Sequence, residues 1–123
     1  MKNDDLYIYS ATVDRVVDGD SVYLIIDLGF GVTFRDDLPQ RLARINAPEK
    51  NRKVSKEAGL AAKAHLETLL KMGPIIVQTK KPPGRSTGKY GRYLVDIMVE
   101  IDEEYWNVND QMVEDGHAIY QEY

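Results

Sequence analysis

The sequence has no cysteine, so disulfide frameworks, cysteine-based zinc sites and cysteine nucleophiles are all excluded. Histidine is nearly absent as well, with only His65 and His117, and both fall in or just after helical patterns. His65 reads as a helix-surface residue. Any acid–base chemistry must therefore come from carboxylates, and any charge stabilisation from arginine or a metal. No apolar run approaches the roughly 20 residues of a membrane span. The first residues, Met1 to Tyr9, carry Lys2, Asp4 and Asp5 and no apolar stretch of signal-peptide length. A cytosolic or already processed form is expected, with no membrane partner.

What is present is globular: 123 residues, 43% hydrophobic and 29% charged, enough for one domain over 1–123 with one modest core. A monomer is expected. The net charge of −4 runs against the basic surface usual in phosphate binders. Its distribution does not. Lys50, Arg52, Lys53 and Lys56 form one basic cluster. Lys80, Lys81, Arg85, Lys89 and Arg92 form another, with no acid between Lys80 and Arg92. The acids gather at Asp102, Glu103, Glu104, Asp110, Glu114 and Asp115. Either basic cluster alone reads as a solvated loop.

Alternation of β-formers predicts a strand over Leu6–Val17. Asp18-Gly19-Asp20 interrupts it with a turn, since glycine accepts positive φ and aspartate bonds its own backbone. A second strand follows over Ser21–Leu28. Gly29–Pro39 reads as a long connection or a wide hairpin tip. A third strand covers Gln40–Ile45 and Pro48 stops it. Ser55–Met72 is the one long helix, with Ser55 as N-cap and an apolar stripe of Ala58, Ala61, Ala62, Leu66, Leu69 and Leu70. Gly73-Pro74 ends it. Ile75–Thr79 and Arg92–Val99 are strands four and five, separated by a loop over Lys80–Gly91. Asn109–Asp115 is a short helix with Gly116 just past its end. The fold class is α+β, mainly β: a five-stranded OB-type barrel, with the long helix after strand three and a short C-terminal helix. Such barrels host many functions, so activity must be argued from a site.

Three charged segments carry that argument: Val17-Asp18-Gly19-Asp20-Ser21, Arg41 to Glu49 (RLARINAPE), and Gly88-Lys89-Tyr90-Gly91-Arg92. A lone DGD or PEK is an ordinary surface turn. All three in this order around one long helix are not ordinary. With ATVDRVVDGDSVYL, RLARINAPE, GKYGRYL and, more weakly, VNDQMVEDGHA, the chain resembles the staphylococcal nuclease (thermonuclease) family over roughly Ala11 to Tyr120. The resemblance implies an OB fold with helices and a hydrolase acting on ester bonds: a phosphodiesterase or endonuclease cutting DNA and RNA with Ca²⁺.

It also implies roles. Asp20 matches the first metal carboxylate, and Ala47 a position offering its backbone carbonyl to the metal. Glu49 matches the general base that activates water. Arg41 and Arg92 match the two phosphate-binding arginines, and Lys89 and Tyr90 match residues touching a terminal phosphate. Asn46 stands where the family has a second metal aspartate. It keeps an oxygen but loses a charge, so Mg²⁺ or Mn²⁺ becomes an alternative to Ca²⁺. Arg35 lies too far before Asn46 to be the first arginine. Arg44 reads as structural or surface, on the strand face of Leu42. Asp18 is either a turn residue or a partner of the metal site. Tyr120 and Tyr123 receive no role. The alternative function is a nucleic-acid- or protein-binding module with decayed catalysis. The presence of Asp20, Arg41, Glu49 and Arg92 together favours the enzyme.

Overall fold

The computed structural model describes residues 7–48, 56–79 and 92–121. Its elements, in order, are β1 (Ile8–Asp18), β2 (Ser21–Gly29), β3 (Val32–Phe34), β4 (Gln40–Leu42), β5 (Ile45–Asn46), α1 (Lys56–Leu70), β6 (Ile75–Thr79), β7 (Leu94–Ile101), β8 (Glu104–Asn107), α2 (Val108–Glu114) and β9 (Ile119–Tyr120). The main sheet runs β1-β6-β7-β4-β2-β3, and β1 also pairs with β2, so the path from β1 returns to β1. The result is a strand-rich α+β molecule consistent with an OB-like fold.

Simple alternation fails in β1, and the register explains why. Ala11 and Val16 are both buried although five residues apart. The pairing with β2 shifts between Val13 and Arg15, so Asp14 is an extra residue that reverses the phase. β2 needs no such correction: Val22, Leu24 and Ile26 alternate cleanly inward. Its hairpin with β3 is tighter than the sequence suggests. Gly29 pairs with Val32, leaving Phe30 and Gly31 at the tip with φ of 56° and 77°. Positive φ at both central positions gives the turn the twist of the strands it joins.

The expected strand over Gln40–Ile45 is two short strands broken by a turn. Arg44 sits at φ 69°, which no strand tolerates. Strand alternation therefore does not decide where Arg44 points. The turn is held from outside. Asn109, fully buried in α2, donates to the carbonyls of Ala43 and Val95, both at 3.0 Å, and accepts from Ile97 N–H at 3.1 Å. Gln121 N–H donates to the Arg44 carbonyl at 2.8 Å, and β9 pairs with β5. The strands β8 and β9, of four and two residues, are too short to be read from alternation, and both are largely exposed.

On α1 the buried stripe is Gly59, Ala62, Leu66, Leu69 and Leu70, while Ala58 and Ala61 are exposed. The phase is set where Ala62 meets the β1–β2 turn. Leu66 is fully buried with Leu42, Ile45, Ile97 and Met112, each contributing roughly 1.5–3 kcal/mol by leaving water. Ser55, the expected N-cap, lies outside the described residues. Asn107 caps α2 by accepting from Asp110 N–H at 3.0 Å, and Gly116 ends it at φ 81°.

Candidate active site

The β1–β2 turn is placed by contact rather than by unusual backbone angles. Gly19 is not among the positive-φ glycines. A Cβ there would stand 2.7 Å from Ala62 Cβ and 2.9 Å from Ala47 Cβ. Glycine lets the turn lie against α1 and the end of β5 at once, which corrects the expectation that it serves a left-handed turn. Three segments are then joined through the backbone. Leu42 N–H donates to Asp20 C=O, Arg41 N–H to Tyr93 C=O and Ala43 N–H to Val95 C=O, each at 2.8 Å.

On that frame Asp20 is only 3% exposed. A carboxylate so buried requires compensation, and three groups provide it. Ser21 Oγ–H donates to Oδ1 at 3.0 Å, Ala47 N–H donates to Oδ2 at 2.9 Å, and Arg41 Nη1 lies 3.1 Å from Oδ2. The other arm of the Arg41 fork donates to Asn46 Oδ1 at 2.9 Å and reaches Ile45 C=O at 3.5 Å. Arg92 Nη1 donates to Ser21 Oγ at 2.9 Å. The two arginines are thus linked through one hydroxyl and one carboxylate.

Of the residues singled out in the sequence, Asp20, Arg41, Asn46, Ala47 and Arg92 are brought together. Glu49, Lys89 and Tyr90 lie outside the described residues. Ser21 lies in the first sequence motif without a role assigned to it, and the structure makes it a member of the site. Its signal lies in the register, since Ser21 is the cross-strand neighbour of Arg41. Asp18 closes the hairpin opposite Ser21, and Arg35 is exposed beyond β3.

The oxygen-donor set brought together here, the Asp20 carboxylate and the Asn46 amide, is of the kind a hard cation takes, and Ala47 meets Asp20 through its N–H. The set is poor in charge, and among the described residues no three His, Cys, Asp or Glu side chains gather. The Arg41 fork itself spans the Asp20 and Asn46 oxygens.

A family model described as staphylococcal nuclease homologue matches residues 39–123, well over half of the chain. The chain belongs to this family. The staphylococcal nuclease match covers Arg41, Asn46, Ala47 and Arg92, and it begins after Asp20. Asp20 is tied to the matched part by its bonds to Arg41 and Ala47. Membership makes the chain one of a nuclease-type family and implies a nucleic-acid substrate in general terms. No curated protein matches the chain.

Other charged groups serve the fold. Arg44 Nη2 lies 2.6 Å from Asp96 and Nη1 2.8 Å from Asp110, and Tyr120 O–H donates to Asp110 at 3.0 Å. The bond to Asp110, then that to Asp96, raises the Arg44 pKa, and the same Asp110 raises that of Tyr120. His65 and His117 stack with ring centres 4.4 Å apart, and His65 Nε2 is 2.6 Å from Asp115. That contact, with a second bond from Gln111, lowers the Asp115 pKa. A cavity of about 720 Å³ between β1, β2 and α1 is lined by none of the site residues. Among the described residues no helix is long and apolar enough to cross a membrane.

Proposed function

We propose that this chain, folded as a five-stranded OB-type barrel, is a metal-dependent, largely sequence-nonspecific nuclease that hydrolyses phosphodiester bonds of DNA and RNA. The observation that carries this reading is the linked pair Arg41 and Arg92, one either side of the Ser21–Asp20 bridge. A phosphodiester gains charge on its oxygens as water attacks, and two guanidiniums aimed at one place stabilise that charge. Arginine serves better than lysine because its planar fork holds two oxygens at once. Burial of Asp20 and of the β4 backbone keeps the Arg41 fork fixed before substrate arrives. Glu49 is the base that takes the proton of the attacking water.

Asp20, Asn46 and Ala47 would hold the cation, Ca²⁺ in the first instance, with Mg²⁺ or Mn²⁺ admitted by the neutral Asn46. When bound, a divalent ion adds Lewis-acid stabilisation of the phosphate. Lys89 and Tyr90 would contact a terminal phosphate.

The test is cleavage of plasmid and single-stranded DNA with Ca²⁺, Mg²⁺, Mn²⁺ and EDTA, beside Glu49→Gln. Cleavage with at least one ion, abolished by EDTA and reduced about 10²- to 10⁴-fold by Glu49→Gln, is expected. No cleavage with any ion would leave a nucleic-acid-binding module instead.

A further inference from the structure

The acidic stretch at the β7–β8 turn has no part in the candidate active site, and the fold sets it beside an apolar groove. The register of that hairpin pairs Val99 with Trp106 and Ile101 with Glu104. Alternate residues of a strand share a face, so these four lie on one side of the hairpin. That side, the end of α1 and one face of α2 enclose a cavity of about 380 Å³. Its buried lining is Leu69, Val99 and Val108. Trp106 and Met72 also line it, and they are 49% and 52% exposed. A half-exposed tryptophan and methionine beside a buried apolar surface mark a place that partner proteins cover, because both types are enriched at interfaces. Tryptophan is also a common anchor of binding energy there.

The groove carries charge of one sign. Asp102 and Glu104 line it at the hairpin end and Asp115 at the α2 end. Among the described residues no lysine or arginine lines it. The Asp115 carboxylate is engaged by His65 at 2.6 Å and by Gln111 at 2.9 Å. No ion pair engages Asp102 or Glu104 among the described residues. Asp102 and Glu103 form the tip of the hairpin, at φ of 52° and 68°. Asparagine and glycine would sit there at less cost, yet the turn holds two acids. Such a rim repels the phosphates of a nucleic acid and attracts lysine and arginine. The volume is near the lower end of the roughly 300–1,000 Å³ of ligand pockets, so it suits one or two apolar side chains rather than a whole helix.

We propose that the groove beside Met72, Trp106 and the Asp102–Glu104 turn is a docking site for a basic segment of a partner protein. The segment seats one or two apolar side chains against Trp106 and sets its lysines or arginines against Asp102 and Glu104. None of the candidate active-site residues lines the groove, so docking does not depend on cleavage.

Trp106 is the only tryptophan in the chain, so its fluorescence reports on the groove directly. The probe is a blocked hexapeptide with two leucines between pairs of lysines, titrated into the full chain. A shift of the emission to shorter wavelength is expected, with a dissociation constant on the order of 100 μM. Raising salt from about 50 mM to about 500 mM should weaken binding several-fold. Replacing the lysines by glutamate, or the leucines by serine, should weaken it at least about tenfold. On the protein, Asp102→Asn with Glu104→Gln removes charge at two exposed positions, and asparagine accepts the positive φ. Binding should fall about fivefold. Met72→Ser removes apolar surface at another exposed position and should cost about tenfold. Unchanged emission at millimolar peptide would overturn the proposal, as would a response that both variants leave intact. Emission that shifts with protein concentration alone, with dimers in sedimentation, would overturn it in favour of a second copy of this chain. Single-stranded DNA that binds more tightly than the peptide, and less tightly to the groove variants, would overturn it in favour of nucleic acid.

Discussion

Arg41 and Arg44 stand three residues apart, and each guanidinium reaches across two oxygen-bearing side chains, yet they do different work. The Arg41 side chain is 12% exposed and faces an Asp20 side chain that is 4% exposed. Arg44 is 41% exposed, between Asp96 at 11% and Asp110 at 40%. Arg41 spans one carboxylate and one neutral amide, with Arg92 one hydroxyl away. Arg44 sits between two carboxylates. A guanidinium flanked by two acids at the surface is a clamp. One held on a buried frame and linked to a second arginine through a hydroxyl and a carboxylate is the feature on which the nuclease proposal rests.

The comparison can be broken in order of expected effect. Arg41→Lys keeps the charge beside Asp20 but loses the fork. Cleavage should fall about 10²- to 10³-fold, with an unfolding free energy within about 1 kcal/mol of the parent. A near-parental rate would remove Arg41 from the site. Gly19→Ala puts a methyl where only about 2.7 Å is open, against another methyl that cannot swing away. Urea denaturation should show a loss of about 1–3 kcal/mol, and Asp20 should shift enough to lower cleavage as well. Arg44→Met should do the reverse of Arg41→Lys: a stability loss of about 1 kcal/mol, discounted for its exposure, and cleavage within a few-fold of the parent. If cleavage collapses while stability holds, the clamp reading is wrong.

The smallest effect concerns Asp115, whose pKa is lowered chiefly by its contact with His65. A carboxylate depressed in the folded state stabilises above its ordinary range, near 3.8, and loses that contribution as pH falls through the lowered value. Both side chains are about one-third exposed, so the contribution is a few tenths of a kcal/mol. The stability difference between parent and Asp115→Asn should be present at pH 6 and vanish at the acid end of a denaturation series. A difference constant with pH would mean that packing, not charge, is what Asp115 supplies.

Local signals in the sequence placed part of this fold. The Asp18-Gly19-Asp20 turn, the helix ending before Gly73-Pro74 and the glycine after α2 are all of that kind, and each element falls within a few residues of its expected place. Phase was not legible. One extra residue at Asp14 reverses the faces of β1, and one residue at positive φ, Arg44, splits a strand in two. Neither leaves a mark in composition, because ordinary residues occupy both positions and distant partners hold them there. The β1 bulge is fixed by β2, and the Arg44 turn by Asn109 and Gln121.

The same division runs through the site. The sequence alone determined which side chains carry charge and that cysteine chemistry was out of reach, and its family resemblance put Asp20, Arg41 and Arg92 in one set. Tertiary structure decided that the glycine of the turn is there for close packing and that Ser21 joins the two arginines. The reason is one of range. Backbone preference and amphipathic spacing act over a few residues and are written locally. Convergence of side chains depends on register between strands far apart in the chain, and that register exists only once the core has closed.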